Sequence, residues 1–449
     1  MPESYANLQS YLIIGVYLLF LLSIGFVFQR LNKGDSDFFR AGCRGSWWLV
    51  GMSILMSGIS TQTFIANAGV AYRSGFSIWW VYIVNAICYV ALFMGIAAWY
   101  RQARVTTFAE MVRERYGPAF QQFFTYWGII MMAVLGALGL FQLSLFMATI
   151  FLFPVQLVIV GVGVVVLFYS ILGGNWAILA ADFLQGLVLL SMAVLLALLS
   201  LWAIGGVDGF LESMRSLGLQ NDFSMITRDD PSGNYGILWL VGVGVIQVYA
   251  VLGIMGGQRY FSCKDGTHAR KAALFASIMM LVGMVVFFLP PMVARLLFDA
   301  EIQLLNVPNP TDAAYAFMSM QLLPNGFVPL MAVAMFSAQM STLDTALNAN
   351  SAIFVKNGYP ALMRLFGRVP NEDPRFQLRL GRIFTACLGC LLVAIALVIS
   401  RANQVTGVFE IFIQMVGLIM VPMLLPLFLG IFVRNTTMWS GWATFCAAL

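Results

Sequence analysis

Eleven apolar runs, each long enough to cross about 30 Å of hydrocarbon, succeed one another along the 449 residues of this chain. They lie near 9 to 29, 46 to 72, 77 to 100, 119 to 150, 153 to 172, 177 to 204, 236 to 257, 270 to 297, 324 to 355, 380 to 400 and 405 to 433. Inside hydrocarbon the backbone must satisfy its own hydrogen bonds, so runs of this length imply helices. The chain therefore reads as an all-α polytopic membrane protein. Only 10% of its residues are charged, against about 25% in soluble proteins; 61% are hydrophobic and the mean hydropathy is +0.88. A twelfth run begins near Met438 and is cut short at Leu449, which predicts a longer full-length protein. The first run is expected to stay in place as a helix, because Glu3 and the lack of a basic flank do not fit a cleaved leader.

The 24 Lys and Arg residues give the chain a direction. With the N-terminus outside, 19 of them fall on the inner side: four from Arg30 to Arg44, four from Arg101 to Arg115, four from Arg259 to Lys271, six from Lys356 to Arg382, and Arg434. The outer side keeps Arg73, Arg215, Arg228, Arg295 and Arg401, beside an acidic loop with Asp208, Glu212, Asp222, Asp229 and Asp230. That asymmetry predicts an outside N-terminus in a plasma (inner) membrane. The net charge of +5 then follows from topology and calls for no nucleic acid. The partners expected are the lipid bilayer and a small organic solute, with no oligomer required. Cys387 and Cys390 form a C-x-x-C, but no His or acid accompanies them, so they read as small packing residues. The single histidine, His268, sits in a basic loop. No nucleophile–base pair or metal-ligand set appears within the runs, which leaves a membrane enzyme poorly supported.

Polar residues interrupt three of the runs. In the ninth, Ala338, Ser341, Thr342 and Thr345 stand at i, i+3, i+4 and i+7 and make one stripe on a helix, with Asp344 beside them. A membrane carboxylate costs about 2.5 to 3.5 kcal/mol on insertion scales and implies a cation, a proton or a partner. Hydroxyls, a freed carbonyl and a carboxylate are the hard oxygen ligands an alkali cation takes. The second run carries Ser57, Gly58, Ser60, Thr61, Gln62 and Thr63. It fits either a helix broken near Ser57 to Ser60 or a continuous small-residue interface. The seventh run, with Gly242, Gly244, Gly253, Gly256 and Gly257, is the natural place for a second break, five spans later. That separation predicts an inverted repeat of five helices each. The divisions expected are 1–45 for an extra helix and cytoplasmic loop, 46–204 for the first repeat, 205–235 for an external loop, 236–434 for the second repeat, and 435–449 for the start of a truncated helix. Asp182, a third of the way into the sixth run, pairs with Asp344 as a shared cation or proton locus.

These residues bear a resemblance. Asp37-Phe-Phe-Arg-Ala-Gly42 with Trp47-Trp48, Gly69-Val-Ala-Tyr72, Thr106 to Gly117, Gly173-Gly174 through Asp182 and Gln185, Gln258-Arg259, Met340-Ser-Thr-Leu-Asp-Thr345 and Leu429 to Arg434 occur in order and at matching spans. Together they resemble the sodium:solute symporter family from the first span to the end. The resemblance implies a LeuT-like 5+5 inverted repeat with one extra N-terminal helix and solute import driven by sodium, the only metal and the coupling ion, with no other cofactor. Carried over, the sodium ligands are the carbonyls of Met56, Ile59 and Ala338 and the side chains of Ser341 and Thr342. It further implies a second cation or proton site at Asp182, Asp344 and Thr345, with a structural or inner-gate role for that locus as the alternative.

Substrate identity is less legible. Positions where sugar-transporting relatives use Gln and Glu look like Thr63 and Tyr82, the polar pair expected in the seventh span is replaced near Gly253, and the fourth run lacks the Arg of sialic-acid relatives. Side chains that could line a solute site are Gln62, Thr63, Trp80, Tyr82, Asn85, Gln247, Tyr249 and Gln414, although packing between helices or a place at the interface is the commoner role for any one of them. The rival functions are a transporter-like substrate sensor and a proton-coupled symporter using Asp182 and Asp344.

Overall fold

The computed structural model describes residues 8–29, 43–103, 108–172, 175–226, 236–305, 307, 309–324, 326–402, 408–433 and 435–448. The side chains of Asp344 and Thr345 lie outside that set, as do the motif positions Asp37 to Gly42, Thr106, Thr107, Gly173, Gly174 and Arg434. In chain order the principal helices are α1 (Leu8–Gln29), α2 (Trp47–Gly58), α3 (Thr61–Phe64), α4 (Ala66–Ser74), α5 (Trp79–Ala91), α6 (Phe108–Phe151), α7 (Val155–Leu172) and α8 (Asn175–Ala203). They continue with α9 (Ile237–Leu252), α10 (Gly266–Leu297), α11 (Phe327–Ile353), α12 (Pro374–Ala402), α13 (Val421–Phe432) and α14 (Met438–Ala448). Among the described residues no strand forms. An isolated bridge joins Gly45 to Cys263.

Six of the described helices are long and apolar enough to span a membrane, and the pair Phe412–Leu418 and Val421–Gly430, bent by 54°, makes a seventh. Leu8–Tyr17, Trp47–Gly58, Val155–Phe168 and Ile237–Leu252 are shorter apolar helices. Of the four runs outside this set, the second and seventh are broken, so each contributes a half-length helix, while the first and fifth form the unbroken α1 of 22 residues and α7 of 18 residues. A helix that begins at Phe108 meets the fourth run, expected from 119, at a kink: Gly117 is non-helical (φ +82°, ψ 174°), a conformation that suits only a residue without a side chain, and Pro118, which has no N–H to lose, starts the run.

The outer surface is apolar, as lipid requires: Leu238 is 89% and Val16 65% exposed. Cys387 and Cys390 belong to this surface. The packing role expected of them is not observed, because the two sit on the outer face of α12 while Leu388 and Leu392 turn inward. The centre is occupied by the most polar run. α2 packs against α8, α10 and α11, and α3 packs against α6 and α11. Met56, Ile59, Phe64 and Ile65 are fully or almost fully buried. Without a strong hydrophobic drive between helices in lipid, close packing and interhelical hydrogen bonds hold such a bundle together.

The stretch 205–235, read as a loop, contains a helix, Gly206–Ser216. Phe210 and Phe223 from this stretch pack edge-on to Phe76, with centroids 6.4 and 6.5 Å away. The seventh run is unbroken through Gly242 and Gly244 and opens only at Gly253, which is extended (φ −72°, ψ 163°) and leads into a 3-10 segment, Ile254–Ser262. The freed Leu252 carbonyl accepts the Tyr100 hydroxyl at 2.8 Å. Two backbone bonds, Gly45 N to Ser262 O (2.9 Å) and Lys264 N to Gly45 O (3.0 Å), then staple the end of this segment to the lead-in of α2. The second break is thus at the end of its helix, where it delivers Arg259 to the centre.

Candidate functional site

α2 ends because its polar residues cannot all be satisfied on a continuous helix. The Ile59 amide closes the last turn on the Leu55 carbonyl at 3.0 Å. Ile59 (φ −114°, ψ 114°) and Ser60 (φ −133°, ψ −174°) are then extended. Ser60 restarts the helix as an N-cap, its hydroxyl accepting the Gln62 amide at 3.3 Å. The Thr63 amide bonds to the Ser60 carbonyl at 2.9 Å. Among the described residues, no amide four positions on closes onto the carbonyls of Met56 or Ile59. The carbonyls of Met56 and Ile59 are therefore among those freed at the C-terminal pole of α2, where the helix dipole is negative. The expected break is observed and the continuous interface is not.

α11 lies directly against this break. Ala338 is fully buried, Ser341 is 1% exposed, and Thr342 is half-buried with its hydroxyl 3.4 Å from the Ala338 carbonyl. α11, which carries these residues, thus packs on both sides of a helix end that favours positive charge.

A neutral polar network flanks the break on one side. The Thr61 hydroxyl donates to Gln339 Oε1 at 2.6 Å and also stands 3.2 Å from the Gly139 carbonyl and 3.4 Å from Gln142 Oε1. Gln142 Nε2 donates to Gln62 Oε1. The Tyr82 hydroxyl donates to Thr63 Oγ1 at 3.2 Å. Among the described residues, Gln62 Nε2 and Asn85 Oδ1 are buried without a hydrogen-bond partner. Of the solute-site candidates, Gln62, Thr63 and Tyr82 are thereby brought together, and Asn85 lies one turn along α5 from Tyr82. Trp80 and Tyr249 are elsewhere. Trp80 Nε1 donates to the Leu240 carbonyl at 2.7 Å, and both residues line an apolar cavity of about 310 Å³ between α5 and α9. Tyr249 also packs on Phe428, 4.9 Å between centroids. Gln247 is half-buried on α9 and Gln414 is exposed; neither joins the network. Gln142 and Gln339 were missed in the sequence, although an amide in the middle of an apolar run is a signal of the same kind as Asp182.

The other side of the break is charged. Asp182 on α8 is 1% exposed and accepts the Ser53 hydroxyl. Arg259 Nη2 stands 3.4 Å from Asp182 Oδ2, and Arg259 Nε donates to Ser57 Oγ at 3.3 Å. Ser57 in turn donates to the Ser53 carbonyl at 2.8 Å. Ser341 makes polar contact with the same carboxylate. Asp182 is thus engaged by Arg259, while its pairing with Asp344 and Thr345 falls on side chains outside the described residues. The guanidinium answers the requirement that a buried carboxylate have a countercharge.

A family model, the sodium:solute symporter family, matches residues 38–443. Among similar proteins, sodium/myo-inositol cotransporter 2 of Homo sapiens is 28% identical across 94% of this chain and 66% of its own length, so the chain spans just under two thirds of that relative. The sodium/glucose cotransporter of Vibrio parahaemolyticus is 25% identical across 95% of this chain and 81% of its own. A solved substrate-bound, outward-open structure of a Na+-coupled sialic acid symporter superposes with a TM-score of 0.80 at 19% identity, covering 97% of this chain and 89% of that one. This last likeness concerns the fold, which is the LeuT-like one expected.

Proposed function

The chain belongs to the sodium:solute symporter family, and from that premise we propose that it is a secondary active transporter importing a small organic solute by sodium-coupled symport with alternating access. The observation that carries this reading is the extended pair Ile59 and Ser60, which frees backbone carbonyls, those of Met56 and Ile59 among them, at the negative pole of α2 where α11 packs. Sodium would be held by the carbonyls of Met56, Ile59 and Ala338 with Ser341 and Thr342. Unwound carbonyls and half-helix C-termini are the parts from which transporter cation sites are made. By drawing α2 and α11 together, the ion stabilises one arrangement of the bundle, and its loss on the inner side loosens it. Each sodium entering down 100 mV contributes roughly 2.3 kcal/mol, enough for about fiftyfold accumulation of an uncharged solute.

The solute class that fits the network is neutral and polyhydroxylated. Gln62, Gln142 and Gln339 with Thr61, Thr63 and Tyr82 offer donors and acceptors and no net charge. The inositol and glucose cotransporters among its relatives agree with that chemistry. Asp182 has a second reading as a cation or proton locus with Asp344 and Thr345. Its contact with Ser341 favours this, since that hydroxyl is shared with the sodium site. We place the protein in the plasma (inner) membrane with its N-terminus outside.

The test is uptake by proteoliposomes of radiolabelled myo-inositol, D-glucose, N-acetylneuraminate, proline and a nucleoside under an inward sodium gradient. Accumulation of a neutral polyol that collapses when choline replaces sodium is expected. Uptake that ignores sodium and follows an imposed pH gradient would favour the proton reading, and no sodium-dependent uptake of any of the five would contradict the proposal.

A further inference from the structure

α3 has four residues, Thr61 to Phe64. It continues through Ile65, whose amide bonds to the Thr61 carbonyl at 2.9 Å, into α4, and the buried Phe64 packs edge-on to Phe287 and Tyr315. Its polar side chains add three anchors beside the break: Thr61 to Gln339 on α11, Gln62 to Gln142 on α6, and Thr63 to Tyr82 on α5. Of these only the first reaches the helix that bears the cation ligands. Gln339 directly follows Ala338 and is 1% exposed. Its amide occupies space that α6 leaves open. A Cβ at Gly139 would stand 2.2 Å from Gln339 Nε2, closer than any side chain tolerates, so glycine there is what admits the amide.

We infer that Gln339 is a positioning residue: by accepting the Thr61 hydroxyl it locks α3 to α11, and so transmits occupancy of the cation site to Gln62 and Thr63. The inference rests on the sodium reading and goes beyond it. A cation bridging the carbonyls of Met56 and Ile59 to α11 fixes the end of α2. It does not by itself tie the segment beyond the break to α11, because the extended Ile59 and Ser60 intervene and the Gln62 and Thr63 anchors lead to α6 and α5 instead. The Thr61–Gln339 bond supplies that tie. With it, α3 follows α11 when the cation binds and presents Gln62 and Thr63 in one register. Without it, the cation is bound and the polar network is not informed.

The experiment is hydrogen exchange on the full chain in lipid nanodiscs with sodium as the only ligand and choline as control. In the wild type, sodium slows exchange in peptides covering 338–345 and 58–66. In Gln339→Met, similar in size but without an acceptor, and in Thr61→Val, similar in shape but without a donor, the response at 338–345 keeps its sodium midpoint. The response at 58–66 falls by about tenfold, the worth of one hydrogen bond. Thr61→Ser, which restores the hydroxyl, recovers it. Retention of full sodium protection at 58–66 in both Gln339→Met and Thr61→Val would overturn the inference. A loss that Thr61→Ser does not recover would assign the effect to packing and overturn it equally. If sodium slows neither peptide in the wild type, the cation reading itself falls, and this inference with it.

Discussion

Asp182 and Arg259 show how much a single residue can reveal and where it stops. That Asp182 needed a partner followed from its place in an apolar run, since an ionised carboxylate there is costly. Which partner could not be read, because a cation or proton shared with Asp344 and an arginine arriving from another segment both satisfy the same electrostatic demand. The structure supplies Arg259, delivered by the 3-10 segment after Gly253 and held by Ser57. Removing one member of such a pair strands a buried charge, so Arg259→Met should cost roughly 3–5 kcal/mol. The double variant Asp182→Leu, Arg259→Met should recover most of that loss, as apolar replacements of buried pairs often do. Unfolding in mixed detergent micelles measures both. Equal losses in the single and double variants would show that the ion pair is not what holds these segments together. Gln142 and Gln339 are the counterpart at this scale: their amides stood in view in the sequence, but only the packing of α3 between α6 and α11 makes them neighbours.

At the scale of elements, breaks in the second and seventh runs were both legible, and the structure adds the residue at which each opens. Six small or polar residues from Ser57 to Thr63 cannot face lipid together, which fits either a break or a small-residue interface, and the extended Ile59 and Ser60 decide for the break. A glycine inside a helix costs only about 1 kcal/mol, so Gly242 and Gly244 are tolerated, and the opening comes at Gly253, where Tyr100 caps the freed carbonyl. Helix starts obey local chemistry. Asp265 caps α10 by accepting the His268 amide at 2.8 Å, and His268 Nδ1 stands 3.0 Å from the same oxygen. The backbone bond first, and the side-chain bond second, hold this carboxyl below its ordinary value. A depressed carboxylate contributes its stabilisation in full above the ordinary carboxylate range and loses it as pH falls through the lowered value. Protection of the 266–269 amides, corrected for intrinsic exchange, should therefore be flat from about pH 8 to 5 and fall only below about pH 4. Asp265→Ala should lose about 1 kcal/mol of local protection at neutral pH. A variant as protected as the wild type at pH 7 would contradict the cap.

For the whole molecule, the class of fold was present in the spacing of apolar runs, since hydrocarbon leaves a backbone few ways to satisfy itself. The helix inside 205–235 and the lipid-facing Cys387 and Cys390 were not, because a short helix packed through Phe210 on its neighbours and a small residue on an outer face leave no periodic mark. The arrangement that results puts one broken helix at the centre, with a charged anchor at Asp182 on one side of the break and a neutral one at Gln339 on the other. The central claim is that sodium binds between them, at the α2 break and α11. The most direct measurement is thermal unfolding of the purified chain across a sodium titration at constant ionic strength with choline, for the wild type and for Ser341→Ala with Thr342→Ala. The wild type should gain stability in a saturable way, by roughly 2.7 kcal/mol at a hundredfold excess over the dissociation constant, while the double variant stays flat. An equal sodium response in both would contradict the account.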